Sequence, residues 1–63
     1  MNSFIEIVNS IGCSVLINVS KIEYIYDSQE DPRYNVIIFM SDGSNIKSTE
    51  SFKGIKHKIS MQG

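Results

Sequence analysis

Cys13 and His57, the only thiol and the only imidazole in the chain, are the one pair that could act as nucleophile and base. Catalysis of that kind needs both groups, and a third that orients them, in mutual reach. Cys13 opens a strand-like run and His57 sits in a lysine-rich, helix-like segment. That reads as a small half-buried hydrophobe and a solvated side chain. One Cys and one His also fall short of the roughly four ligands of a closed zinc site. Gly12, Gly43, Gly54 and Gly63 are too far apart to make a phosphate loop. Asp27, Glu30 and Asp31 crowd together without the alternating ligands and closing Glu of a calcium loop. The sequence thus offers no catalytic residue, no metal ligands and no cofactor site. A chain this short is also expected to lack room for a pocket of several hundred cubic ångströms that would bury a small-molecule ligand. The expectation is a protein that is not an enzyme and has no small-molecule substrate.

Binding chemistry remains. Tyr24, Tyr26 and Tyr34 flank the acidic group, and Tyr24 and Tyr26 fall on one face of a strand period. Tyrosine combines a large rigid apolar area with a polar tip, the pairing favoured at interface hot spots. Stacking on bases would use the same rings, but Asp27, Glu30 and Asp31 would repel a phosphate backbone. The expected partner-binding set is therefore Tyr24, Tyr26, Asp27, Glu30, Asp31 and Tyr34, facing a protein. A second patch gathers Lys53, Lys56, His57 and Lys58, with Lys47 nearby. It suits a solvated helix face, and its alternative use is phosphate contact with nucleic acid. Lysines without an arginine in the cluster would give salt-sensitive affinity and no base readout, so nucleic acid is the lesser expectation.

These patches must be positioned by very little protein. The chain has 63 residues, one domain spanning 1–63, of which 41% are apolar. A chain of that size buries only about 60% of its unfolded surface. With a single cysteine it has no internal disulfide, so it is expected to lean on another copy of itself, as a homodimer or higher homo-oligomer. The net charge of −1 favours neither a nucleic-acid binder nor a mimic of DNA. Met1-Asn2-Ser3 carries no basic residue, Glu6 interrupts the first apolar stretch, and no run approaches the roughly 18 apolar residues of a membrane span. The expected location is the cytoplasm of a bacterium or of a phage-infected host, in keeping with an Ile/Asn/Lys/Ser-rich composition typical of AT-rich genomes. The sequon Asn18-Val19-Ser20 is then a coincidence.

β-Branched residues dominate the pattern. Phe4–Val8 reads as a first strand, Asn9-Ser10-Ile11-Gly12 as a turn, and Val15-Leu16-Ile17-Asn18-Val19 as a second strand with Val15, Ile17 and Val19 on one face. A third strand has Ile22, Tyr24 and Tyr26 alternating with Lys21, Glu23 and Ile25, after a tight turn at Ser20-Lys21. The polar stretch 27–33, with the only proline, is an exposed loop. Residues 34–40 resume as a strand that is apolar on both faces, as a central or covered strand would be. Asp42-Gly43 predicts a type I′ hairpin turn, and 44–49 return as a polar edge strand. Phe52, Ile55 and Ile59 form one stripe of a short helix capped by Ser51, with Gly54 costing it about 1 kcal/mol. The expected fold is mainly β (α+β): a bent antiparallel sheet or small barrel of four or five strands with one short C-terminal helix.

This order resembles the small flagellar-operon FlbD/SwrD family. The resemblance is carried by Ile11-Gly12, Leu16-Ile17-Asn18, Ile22-Glu23, Val36-Ile37-Ile38-Phe39, Asp42-Gly43 and Glu50-Ser51-Phe52, and covers residues 4–59. It implies a non-enzymatic regulatory or interaction role; the acidic loop 27–33 is longer than in that family. Residues 16–59 are also similar to the first half of a LytTR-type domain, without its basic DNA-touching half, so DNA binding is not carried over. The leading expectation is a small regulator that binds a partner protein and blocks or tunes it, such as a phage or mobile-element inhibitor of a host protein. A motility accessory protein and a weak nucleic-acid-binding module are the alternatives.

Overall fold

The computed structural model describes residues 3–28 and 32–61. Five short strands and one helix follow in order: β1 (Phe4–Val8), β2 (Ser14–Asn18), a 3-10 turn (Val19–Lys21), β3 (Ile22–Asp27), β4 (Val36–Met40), β5 (Asn45–Ser48) and α1 (Phe52–Ser60). They form two antiparallel sheets, β1-β2 and β3-β4-β5, with no closed barrel. β4 is the central strand of the larger sheet, which accounts for its two-sided apolar run. The core is six β-branched side chains: Ile5, Ile7 and Ile17 from the hairpin, Val36 and Ile38 from β4, and Ile55 from the helix.

Both hairpins close on the same device. In the first, Gly12 N–H donates to Asn9 O (3.0 Å) and Asn9 N–H to Cys13 O (2.8 Å); in the second, Gly43 N–H donates to Met40 O (3.1 Å) and Met40 N–H to Ser44 O (2.9 Å). Gly12 and Gly43 take φ of +88° and +93°, and no other described residue has positive φ. These are three-residue loops ending in a left-handed glycine, so the expected type I′ turn at Asp42-Gly43 is corrected: Asp42 would also need positive φ. Its carboxylate instead accepts from the N–H (2.9 Å) and hydroxyl (2.6 Å) of Ser44. The 3-10 turn is built likewise, Asn18 Oδ1 accepting from the N–H and hydroxyl of Ser20.

The seam between the sheets runs along the far edge of β1, and side chains make most of it. Lys58 Nζ donates to Glu6 O (2.7 Å), Val8 N–H donates to Glu50 Oε2 (2.7 Å), and Ser48 Oγ donates to Val8 O (2.6 Å). Beyond them Asn9 bridges Ser48, and Ser10 N–H donates to Lys47 O (2.9 Å). Ser48 is fully buried, so residues 44–49 are not the plain polar edge expected of them. Its hydroxyl also accepts from Glu50 N–H (3.1 Å). A buried hydroxyl with both capabilities satisfied joins the sheets without leaving an orphan.

α1 lies against β1 through Ile55, with Phe52 and Ile59 half-buried beside it. Ser51 Oγ caps it by accepting from Gly54 N–H (3.0 Å). An open groove of about 490 Å³ remains between β2 and the β4–β5 hairpin, lined by Val15, Ile17, Met40 and Ile46, with Lys21 and Asp42 among the polar groups. The groove is open to solvent and does not enclose a ligand.

Candidate functional site

The outer face of β3-β4-β5 carries the aromatic groups. Register sets Tyr24 opposite Phe39, Tyr26 opposite Ile37, Ile37 opposite Lys47 and Phe39 opposite Asn45. Val36 and Ile38 point into the core, so Ile37, Phe39 and their cross-strand neighbours share the opposite face. Tyr24 and Tyr26 are 53% and 58% exposed there, a large fraction for rings in the middle of a strand. Tyr24 stacks on Phe39 with centroids 4.6 Å apart and planes 20° from parallel. Beside this row the Lys47 ammonium sits 5.6 Å from the ring centroid of half-buried Tyr34, within cation–π range.

A bulge makes this face. The register of β3 on β4 shifts between Ile22 and Tyr24. The extra residue lets both Ile22 and Ile25 pack against the core, which strict alternation forbids, and it separates Ile22 from the face that Tyr24 and Tyr26 share. The expectation that Ile22 shares a face with the two tyrosines is corrected on that ground.

Of the expected partner-binding residues, Tyr24 and Tyr26 are brought together, Tyr34 lies beside Lys47, and Asp27 ends β3 as an exposed residue opposite Val36. Glu30 and Asp31 lie outside the described residues. Phe39 and Ile37 complete the face and were not singled out by sequence, and Lys47, expected near the basic patch, joins them there. Part of their signal was available, since the apolar run of β4 must show every second side chain to the outside, whereas the register that sets Lys47 opposite Ile37 follows from the three-residue loop at 41–43, which the sequence did not show.

The basic group is less of a unit than its spacing suggests. Lys53, Lys56 and His57 are exposed on α1, whereas the Lys58 ammonium binds Glu50 Oε1 (2.7 Å) as well as Glu6 O. Burial pushes the Glu50 carboxyl up, but Lys58 and the Val8 N–H together outweigh it and hold its pKa below the ordinary carboxylate value. Lys58 thus serves the seam.

Cys13 is a free, exposed thiol at the first hairpin and His57 an exposed residue of α1. Among the described residues no three His, Cys, Asp or Glu side chains are grouped to hold a metal ion, and no helix is long and apolar enough to cross a membrane. No family model, no curated protein and no solved structure matches this chain.

Proposed function

We propose that this protein is a non-catalytic regulator that binds a partner protein through the outer face of β3-β4-β5, and that it works by occupying a surface its partner needs. The observation that supports this reading is the uncovered aromatic row itself: two tyrosines more than half exposed, one stacked on Phe39. A folded chain with six buried apolar side chains among the described residues gives up burial by leaving such rings in water, and rigid aromatic anchors are what interface hot spots use. Asp27 at the margin, with Glu30 and Asp31 following it in sequence, suits a partner patch with an apolar centre and a basic rim. An inhibitor of a host protein borne by a phage or mobile element is one form such a regulator takes. Self-association belongs to the same reading. Its interface does not use Val36 and Ile38, which are fully buried in the protomer's own core.

The test is capture of a partner from lysate of the source cells by tagged wild-type protein, Tyr24→Ala/Tyr34→Ala and Lys53→Glu/Lys56→Glu, with circular dichroism to confirm folding. The expected outcome is a defined partner held by wild type and by the lysine variant and lost by the tyrosine variant. Full retention by the folded tyrosine variant overturns the reading. Loss in the lysine variant alone moves the site to α1 and favours nucleic acid, in which case the bound material is sensitive to nuclease and salt.

A further inference from the structure

We infer that β2 is a self-pairing edge, and that two copies of this chain join by antiparallel β2–β2 pairing about a two-fold axis through Leu16. This deepens the self-association part of the reading above and leaves the aromatic face free.

Edge accounting selects the strand. β4 is paired on both sides, and β5 is paired with β4 and, at its end, with the extension of β1. The far edge of β1 is occupied by Lys58, Glu50 and Ser48. Among the described residues that leaves the outer edges of β2 and β3, and of β5 only the stretch Asn45-Ile46, which is too short to carry a strand pairing.

The two differ in how they are guarded. β3 carries a bulge beside Glu23 and ends in Asp27, both exposed, which are devices that keep edges from pairing. Ser28 N–H donates to Asn35 O (2.8 Å), and by alternation along the ladder Ile25 and Asp27 direct their main-chain groups outward, while the bulge interrupts the alternation at Glu23. A two-fold pairing about Ile25 would need Glu23 in a regular ladder opposite Asp27 of the other copy, and the bulge at Glu23 breaks that ladder.

β2, Ser14-Val15-Leu16-Ile17-Asn18, has no charge, no proline and no bulge. Val19 N–H donates to Ser3 O (2.8 Å) and Asn9 N–H to Cys13 O (2.8 Å). In the unbroken β1–β2 register the odd residues therefore bond to β1, and Ser14, Leu16 and Asn18 point outward. Those three are symmetric about Leu16. Pairing two copies there sets Leu16 against Leu16, Ser14 against Asn18 and Val15 against Ile17. Apolar meets apolar, polar meets polar, and no like charges face each other. Leu16 N–H bonds reciprocally to Leu16 O of the copy, and Asn18 N–H to Ser14 O. A slip by two residues leaves outward groups unpaired, so the register is specified. Leu16, 66% exposed, gains a packing partner, and the groove beside β2 supplies the space an added strand needs. The symmetry is closed, so pairing ends at a dimer.

Two measurements test this. Sedimentation should show a concentration-dependent monomer–dimer equilibrium for wild type, weakened by roughly a hundredfold or more in Leu16→Lys, which sets two ammonium groups at the axis. The second readout does not rely on how that variant folds. Residues opposite each other at a bonded pair lie about 5.5 Å apart at Cα, within the reach of a disulfide. Cys13→Ser/Leu16→Cys should cross-link to a dimer on oxidation, and Cys13→Ser/Ile25→Cys, at the axis of a β3 dimer, should not. Wild type that stays monomeric at the highest workable concentration, cross-linking through Ile25→Cys in place of Leu16→Cys, or an open-ended polymer would each overturn the proposal. Partner capture by Leu16→Lys is expected to match wild type, so failure of this proposal and failure of the partner reading are distinguishable.

Discussion

Glu50 binds two elements with one carboxylate. One oxygen takes the Val8 N–H of β1 and the other the Lys58 ammonium of α1, while its own N–H donates to Ser48. Its pKa is held below the usual value, so the folded state takes up the proton less readily than the unfolded chain. The stabilisation is complete above the unfolded pKa of about 4.3 and is lost as the pH falls through the folded value. Thermal melts should show wild type losing stability on acidification from roughly pH 5 downward. Glu50→Gln should start about 1 kcal/mol less stable at neutral pH, since Lys58 is partly exposed and such pairs contribute modestly. It should also show a shallower decline, and an acid profile parallel to wild type would sink this assignment. Little of the joint was legible in sequence. Glu50 and Ser48 sit in a polar stretch, and their partners lie 42 and 40 residues away. Only the path of β1 past the end of β5 gives a buried serine its two bonds. The tyrosines were legible because a strand period alone sets which side chains share a face.

α1 shows two local rules in conflict. Ser51 is the cap its sequence position predicts, and glycine at the third helical position is the residue that propensity disfavours by about 1 kcal/mol. A Cβ on Gly54 would lie 3.0 Å from Ser51 Oγ, the atom that accepts the Gly54 N–H. The gain from alanine is therefore coupled to the cap. Denaturant melts of the four-member cycle should find Gly54→Ala near neutral or destabilising alone, and Ser51→Ala costing about 1 kcal/mol. With the hydroxyl gone, Gly54→Ala should stabilise by roughly 0.5–1 kcal/mol. Additive effects across the cycle would show that the close approach relaxes freely. Other elements were legible to the extent that their determinants are local. Glycines at 12 and 43 mark the hairpins, yet the turn type at Asp42-Gly43 escaped, because the Ser44 bonds that hold Asp42 depend on loop length. The β3 bulge escaped too, since an extra residue leaves no mark on composition and shows itself only when Ile22 and Ile25 both turn inward.

At the scale of the molecule, two sheets that share one seam need something to hold their inner faces together, and the helix supplies it. Ile55 is fully buried, alone among the α1 side chains, in a cluster that otherwise draws on β1, β2 and β4. Total stability for a chain of this length is expected at roughly 3–9 kcal/mol, while truncating a buried isoleucine to alanine costs about 2–5 kcal/mol. The same truncation at Ile59, half-buried on the same stripe, leaves less of a cavity. Ile55→Ala should therefore remove a large share of the stability and melt both sheets with the helix in a single transition, whereas Ile59→Ala should cost about 1 kcal/mol. Far-UV circular dichroism, which follows strands and helix together, and tyrosine fluorescence, which follows the β3 face, should give coincident curves for Ile55→Ala. A helix that melts early while the tyrosine signal holds would show instead that the sheets stand without α1, and that the β1–β5 seam alone carries the fold. The wild-type transition should also rise with protein concentration if β2 edges pair, because association stabilises only the folded chain. In Leu16→Lys that dependence should vanish while the order of the Ile55→Ala and Ile59→Ala effects stays the same, which separates what the core contributes from what the second copy adds.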